Sequence, residues 1–428
     1  WNLHEPKEGQ FNFQGIADLE RFILTAKKYG LHVIVRPSQY ICAEWEFGGL
    51  PSWLLKDRNL SLRCADPQYL AKVDNYFKVL IPILAKHQCT KGGPIIMCQI
   101  ENEYGSYGND KEYLSFLEKK MREYGLDILL FTSDGDDHFY LRGGTLPHVF
   151  KTANFGSRPK DRFGNLTSFP AFFGPMMCSE YWNGWVDHWG EKHHTREPKE
   201  AVACFQEMLE MGASVNFYMF HGGTNFGFMS GANCNGARDY QPIVTSYDYC
   251  APLTEEGNTT EKYDLLRKLL KDYREDEDLY GEFPPAPVAA YGEVLLTESA
   301  PLRLSADRLA ERHTSRAVTD NIPAPFFTAL MCPAQIFRPN CGFGKFTTAP
   351  MFLSTESVSQ PSIATMNPTI WKRSLFPIRI TFLRLSWKIW DGSTSVPISV
   401  TRRELPIRFV WFLPVSTSSV GKSGLWNW

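Results

Sequence analysis

In two short stretches of this 428-residue chain an apolar run ends in a carboxylate. Gln99-Ile100-Glu101-Asn102-Glu103-Tyr104-Gly105 takes a strand-like segment into two glutamates, an amide and a phenol. Met176-Met177-Cys178-Ser179-Glu180-Tyr181-Trp182-Asn183-Gly184-Trp185 puts one carboxylate directly before a set of aromatic rings. Cleavage of a glycosidic bond needs two carboxyl groups flanking it. One must keep its proton near neutral pH, and burial or a nearby negative charge raises its pKa. Flat rings beside the other suit the C–H faces of a pyranose. A surface glutamate pair at a strand end, or a core-to-loop transition in a Trp-rich chain, would give the same letters. Strand alternation puts Glu101 and Glu103 on one face and Asn102 on the other, and does not say which glutamate is catalytic.

Three more stretches carry polar groups among rings. Tyr40 to Pro51 offers Glu44 beside Trp45 and Phe47, Tyr218 to Gly227 ends in Thr224-Asn225-Phe226-Gly227, and Thr245 to Tyr249 alternates hydroxyls with rings. Competing chemistries lack their residues. His188, His193 and His194 are close in sequence but have no metal-ligand spacing on an evident helix and read as solvated loop residues. No GxSxG elbow, nucleotide-binding glycine loop or CxxC pair occurs. Cys42 has no identifiable histidine partner and reads as a wall residue.

These residues need a scaffold that presents strand ends together. Apolar runs at Leu31–Val35, Pro94–Ile100, Ile128–Thr132, Pro175–Glu180 and Ala213–Phe220 read as buried strands, with a weaker one at His148–Phe155. Helical stripes alternate with them: Ile16 to Ala26 ended by Gly30, Pro67 to His87, Tyr113 to Tyr124 stopped by Gly125, Pro198 to Met211, and Leu265 to Tyr273 capped by Thr260 or Asn258. Such alternation predicts a parallel sheet under helices. Glu103, Asp134, Glu180 and Asn225 all follow strand runs, as active-site residues do in a (β/α)8 barrel. Six strands and a stub at Trp1–His4 are legible, fewer than a closed barrel requires.

Composition fits this reading. The net charge is −2, with 43% hydrophobic, 14% aromatic and 21% charged residues. A near-neutral globular chain is not built to hold nucleic acid by charge. There is no apolar run of about 18 residues to span a membrane. Phe283 to Val288 reads as a Pro-rich linker, with strand-like sequence over Ala289 to Leu304. Pro323 to Trp428 carries 11 Lys and Arg against three acidic residues and keeps no steady period. The expected division is therefore 1–282 as catalytic domain, 283–304 as linker and start of a β domain, and 305–428 as an atypical basic tail without a packed core. The first residue is Trp, which reads as a missing natural N-terminus. No signal can then be read, and cytoplasmic, exported or lysosomal locations stay open.

Together and in this order, WNLHEP (1–6), YICAEWEFGGLPSWLL (40–55), QIENEYGSYG (99–108), TSDG (132–135), CSEYWNGW (178–185), NFYMFHGGTNFG (216–227) and TSYDY (245–249) resemble glycoside hydrolase family 35, the β-galactosidases. The likeness runs from Trp1 to about Leu304, and the wording is nearer bacterial-type members. It implies an α/β fold, a (β/α)8 TIM barrel here lacking its first strand. It also implies a retaining exo-β-galactosidase acting on β-galactoside oligosaccharides or glycoconjugates, with no metal or organic cofactor. By this resemblance Glu103 matches the general acid/base and Glu180 the nucleophile, about 5–5.5 Å apart. Asn102, Cys42, Ala43, Glu44, Trp185, Tyr218 and Tyr249 match sugar-binding positions. Cys250 stands where the family usually has Asp, and the tail does not resemble the family's β-sandwich domains. A silent galactoside-binding protein and an inactive fragment are the alternatives, and both carboxylates being present favours the enzyme.

Overall fold

The computed structural model describes residues 1–273 except 228 and 235–239, together with 284–287, 289–290, 292–293, 295, 297–299 and 410–411. Six parallel strands form its centre: β1 (Val33–Val35), β2 (Ile95–Gln99), β3 (Leu129–Gly135), β4 (Phe150–Phe155), β5 (Met177–Trp182) and β6 (Ser214–Tyr218). They pair in chain order, each with the next. A small antiparallel pair, β7 (Ala232–Cys234) and β8 (Tyr240–Pro242), follows β6. The two-residue strand β9 (Val410–Trp411) lies antiparallel to β1. Strands β3 to β5 are buried along nearly their whole length, as parallel strands covered on both faces are. The result is the expected α/β architecture, an arc of a (β/α) barrel made of six strand–helix units.

The helices begin where short acidic or hydroxyl side chains can take the first free N–H groups. The Asp18 carboxylate accepts from the Arg21 N–H at 2.9 Å and opens α1 (Leu19–Lys28). Asp66 accepts from Gln68 and Tyr69 and opens α2 (Pro67–Ala85), with Pro67 in the first turn. Asp110 does the same for α3 (Lys111–Glu123) and also accepts from the Ala65 N–H at 2.8 Å, tying α3 to the chain entering α2. Pro198 opens α6 (Pro198–Glu210), and Thr260, rather than Asn258, caps α7 (Glu261–Leu270).

Several elements depart from the sequence reading. Trp1–His4 forms turns, not a strand stub; the Trp1 ring instead stacks on Tyr76 at 5.0 Å and meets Trp53 edge-on at 5.6 Å. Helices α4 (His138–Gly144) and α5 (Pro159–Ser168) leave no clear stripe in the sequence, because α4 ends in two glycines and α5 buries only Pro159, Phe163 and Leu166. The linker expected at 283–304 and the tail at 305–428 lie largely outside the described residues, so the domain division is taken up below as a proposal.

Two apolar clusters hold the arc. One packs α1, α2 and α3 on β1 and β2 through Ile23, Phe77, Ile81, Leu114 and Leu117. The other packs α5, α6 and α7 on β4 to β6 through Phe163, Phe205, Met208 and Leu266. The Tyr181 hydroxyl donates to the Ala201 carbonyl at 2.6 Å and joins β5 to α6. Phe77 on α2 is fully buried, whereas Leu24 on α1 is 47% exposed. Phe77→Ala should lower stability by about 3–5 kcal/mol and Leu24→Ala by roughly 0.5 kcal/mol or less, read as shifts of the urea unfolding midpoint.

Candidate active site

The strands deliver their polar residues at one end. Arg36 follows β1, Glu101 to Glu103 follow β2, Glu180 lies in β5, and Tyr218 closes β6. The nine side chains singled out from the sequence, Cys42, Ala43, Glu44, Asn102, Glu103, Glu180, Trp185, Tyr218 and Tyr249, all line one cleft. Ile41 and Trp182 complete its wall.

At the end of β2 the two glutamates part company. Glu101 is 1% exposed and accepts a bidentate pair from Arg63, Nε to Oε1 at 2.9 Å and Nη2 to Oε2 at 2.8 Å. The Tyr113 hydroxyl donates to the same carboxylate at 2.8 Å, and Arg63 also donates to the Asn102 carbonyl at 2.9 Å. Arg63 in turn lies over the Tyr40 ring at 3.7 Å. Glu101 is thus consumed by a buried ion pair that fixes the strand end. Glu103 lines the cleft instead. Strict alternation would have kept the two together, but both carry left-handed backbone, φ 56° and 46°, so the chain turns between them.

That backbone conformation recurs around the cleft. Cys42, Ala43 and Glu44 have φ of 55°, 59° and 45°, and Tyr249 and Cys250 have 62° and 49°. Such residues cost about 1 kcal/mol or more each and persist only where neighbours hold them. The 245–250 segment is held partly by two glycines. A Cβ on Gly184 would sit 1.7 Å from the Tyr249 carbonyl oxygen, and one on Gly222 1.7 Å from that of Tyr247. Only a bare Cα lets these backbones meet.

The two cleft carboxyls are held differently. Arg36 Nη2 donates to both Glu180 Oε1 and Asn102 Oδ1, and the Trp182 indole N–H donates to Glu180 Oε2 at 3.2 Å. Glu180 therefore has a cation on one oxygen and a ring donor on the other. Glu103 receives the Asn154 amide N–H on Oε1 at 2.9 Å. Burial, followed by the nearby Glu180 charge, pushes the Glu103 carboxyl up to about 8. Opposite them the Tyr247 hydroxyl donates to Glu44, and the Tyr218 and Tyr247 hydroxyls are 3.1 Å apart. Burial, helped by the charges of Glu44 and Glu103, pushes the Cys42 thiol up to about 12, which suits a wall residue rather than a nucleophile.

Other polar residues named from the sequence lie outside the cleft lining. Asp134 is buried, accepts the Gly105 N–H at 2.8 Å and is raised by burial to about 7; it braces the turn after Glu103. Among the described residues no group of His, Cys, Asp or Glu is placed to hold a metal ion. His193 is exposed and His194 half-buried, and they pair with Asp187 at 2.5 and 2.9 Å. His188, expected in solvent, is buried between Glu191 at 2.7 Å and Asn233 at 3.0 Å. Cys250 Sγ accepts the Arg196 N–H at 3.5 Å and lies 3.7 Å from Lys262 Nζ. Arg36, Arg63 and Asn154 had not been picked out. Each polar residue ending or interrupting an apolar strand was a usable signal for Arg36 and Asn154; nothing in the letters joins Arg63 to Glu101.

Removing one member of a buried ion pair leaves the other charge stranded. Arg63→Met should cost about 3–5 kcal/mol in urea unfolding, and Arg63→Met with Glu101→Met should recover most of it.

The sequence profile described as "Glycosyl hydrolases family 35" matches residues 1–273. A "Beta-galactosidase" of Bos taurus is 45% identical over 303 residues, 70% of this chain and 45% of that protein. The human "Beta-galactosidase-1-like protein 3" is 46% identical over 271 residues, 63% of this chain and 41% of that protein. The chain thus spans less than half the length of these relatives. They are mammalian, so the bacterial-type wording of the motifs gains no support from them. A solved β-galactosidase from the psychrophilic Marinomonas ef1 aligns with TM-score 0.42 and 12% identity over 63% of this chain and 53% of that one, too slight a likeness to bear on the argument. With a family profile covering well over half of its residues, the chain belongs to glycosyl hydrolases family 35.

Proposed function

We propose that residues 1–282 are the catalytic part of a retaining exo-β-galactosidase that releases terminal non-reducing β-D-galactose. The observation that carries this reading is the cleft that Glu103 and Glu180 line together, with Glu180 paired to Arg36 and the Glu103 carboxyl pushed up by burial and by the Glu180 charge. Family membership and the names of the relatives support the substrate class. In the same proposal residues 283–304 link this part to an atypical basic tail at 305–428.

Chemistry follows from what each group can do. Glu180, oriented by Arg36 and Trp182, attacks the anomeric carbon. Glu103 gives its proton to the departing glycosidic oxygen. A galactosyl ester of Glu180 forms, Glu103 now takes a proton from water, and that water releases galactose with retention. The two carboxyls should stand about 5–5.5 Å apart for this direct displacement. Asn102, held by Arg36, and Glu44, held by Tyr247, face the sugar hydroxyls. Trp182, Trp185 and Tyr249 supply flat walls. The steps use protein carboxyls and water alone.

Hydrolysis of a nitrophenyl β-galactoside by the 428-residue chain is the direct test. Glu180→Gln should lower kcat by roughly 10³-fold or more while galactose still binds; near-normal turnover would sink the nucleophile role. Glu103→Gln should lose far less on a dinitrophenyl galactoside than on an alkyl galactoside, because a good leaving group needs little protonation. The sign of the pH dependence is fixed as well. An acid raised to about 8 holds its proton below that pH and loses it above, so kcat/KM should fall as pH rises through about 8. That limb should vanish in Glu103→Gln, and a limb that persists there belongs to another group.

A further inference from the structure

Asn154 is 1% exposed and lies outside the cleft lining, yet it is bonded to Glu103. Its amide spans two environments. At one end Nδ2 donates to Glu103 Oε1 at 2.9 Å. At the other, Oδ1 is 2.8 Å from Ser133 Oγ and 2.9 Å from Ser179 Oγ. Those two hydroxyls are 2.7 Å apart, and Ser179 Oγ is 2.6 Å from Thr152 Oγ1. The group crosses three neighbouring strands, with Ser133 in register with Thr152 and Asn154 with Glu180. A primary amide is a donor at nitrogen and an acceptor at oxygen. In the structure both serine hydroxyls donate to Oδ1, and Nδ2 is the end turned to Glu103.

We propose that Asn154 is a positioning residue: its N–H caps Oε1 of Glu103 and leaves Oε2 as the oxygen that carries the proton for the glycosidic oxygen. The proposal rests on the reading of Glu103 as acid/base. In a carboxylic acid the carbonyl oxygen is the better acceptor, so an N–H fixed against Oε1 makes that oxygen the carbonyl. The proton then sits on Oε2. In the first step the Oε2–H bond breaks and an O–H bond forms on the glycosidic oxygen. The anomeric C–O bond breaks with its electron pair going to that oxygen. In the second step Oε2 takes a proton from the attacking water. Ser133 and Ser179 act through Asn154 by keeping its amide from turning.

Glu103 also faces Glu180, Arg36 and Asp134, and the charges of Glu103 reach Cys42 and Tyr249. Substitution at residue 154 to Ala alters none of these groups, so a shift reports the amide itself. The capping N–H favours the ionised carboxylate, and its loss must raise the pH at which Glu103 gives up its proton.

The test titrates the Glu103 carboxyl by its infrared C=O stretch in the 428-residue chain, assigned by subtracting the spectrum of Glu103→Gln. In Asn154→Ala the midpoint should rise by about one pH unit, and the basic limb of kcat/KM should move with it. The loss in kcat should be greater on an alkyl galactoside than on a dinitrophenyl galactoside. Ser179→Ala, which keeps Asn154 in place, should shift the midpoint the same way by less, and it carries the test if Asn154→Ala does not fold. An unmoved midpoint overturns the proposal. A midpoint that falls also overturns it, since that result means the amide oxygen faces Glu103. Should Glu103→Gln lose equally on all leaving groups, the acid/base reading fails, and the infrared shift still judges the cap separately.

Discussion

Two carboxyl groups buried in one small cleft cannot both be charged without large cost, and the site is organised around how this is resolved. Arg36 places its guanidinium on Glu180 and Asn102, so the charge is compensated at the end of β5. Glu103, at the end of β2, receives a neutral amide and is left to hold a proton. The asymmetry lies in the partners, since both side chains are glutamates. It is set by which strand end carries arginine and which neighbour carries asparagine.

Everything else keeps those partners in register. The Arg63–Glu101 pair pins the turn after β2, and the left-handed residues on either side swing Glu103 away from Glu101. Asp134 holds the Gly105 N–H and braces the next residues of the same turn. Parallel pairing of β4 with β5 brings Asn154 level with Glu180, and hence into reach of both the serines and Glu103. The helices contribute by burying the strands, and aspartate caps fix where four of those helices begin. Backbone strain at Cys42 to Glu44 and at Tyr249 is carried by this frame and places the opposite wall of the cleft.

Much of this was legible in the letters. Six apolar runs became six parallel strands within a residue or two at most ends, because fully buried strands leave continuous apolar sequence. Helices with wide apolar stripes were visible; α4 and α5, which bury few residues around glycines, were not. The nine cleft residues were recognised through motif order and resemblance, not through periodicity. Strand alternation left Glu101 and Glu103 undecided and the resemblance pointed to Glu103; the physical reason, the Arg63 pair on Glu101, comes from 38 residues away in sequence. The left-handed run at Cys42 to Glu44 had no local sign, since none of the three is glycine and long-range contacts alone impose the conformation. His188 was misjudged as solvated because its partners, Glu191 and Asn233, come together only when the loop after β5 meets β7.

The central claim is that Glu180 becomes covalently bonded to the sugar while Glu103 does not. It is tested most directly by incubating the chain with a 2-deoxy-2-fluoro-β-galactoside carrying a good leaving group, which slows release of the ester, and locating the adduct by peptide mass spectrometry. The account predicts one fluorogalactosyl group per chain, on the peptide containing Glu180. An adduct on Glu103, on Cys42 or on any other residue would contradict it, as would steady hydrolysis of the ordinary galactoside with no adduct formed from the fluorinated one.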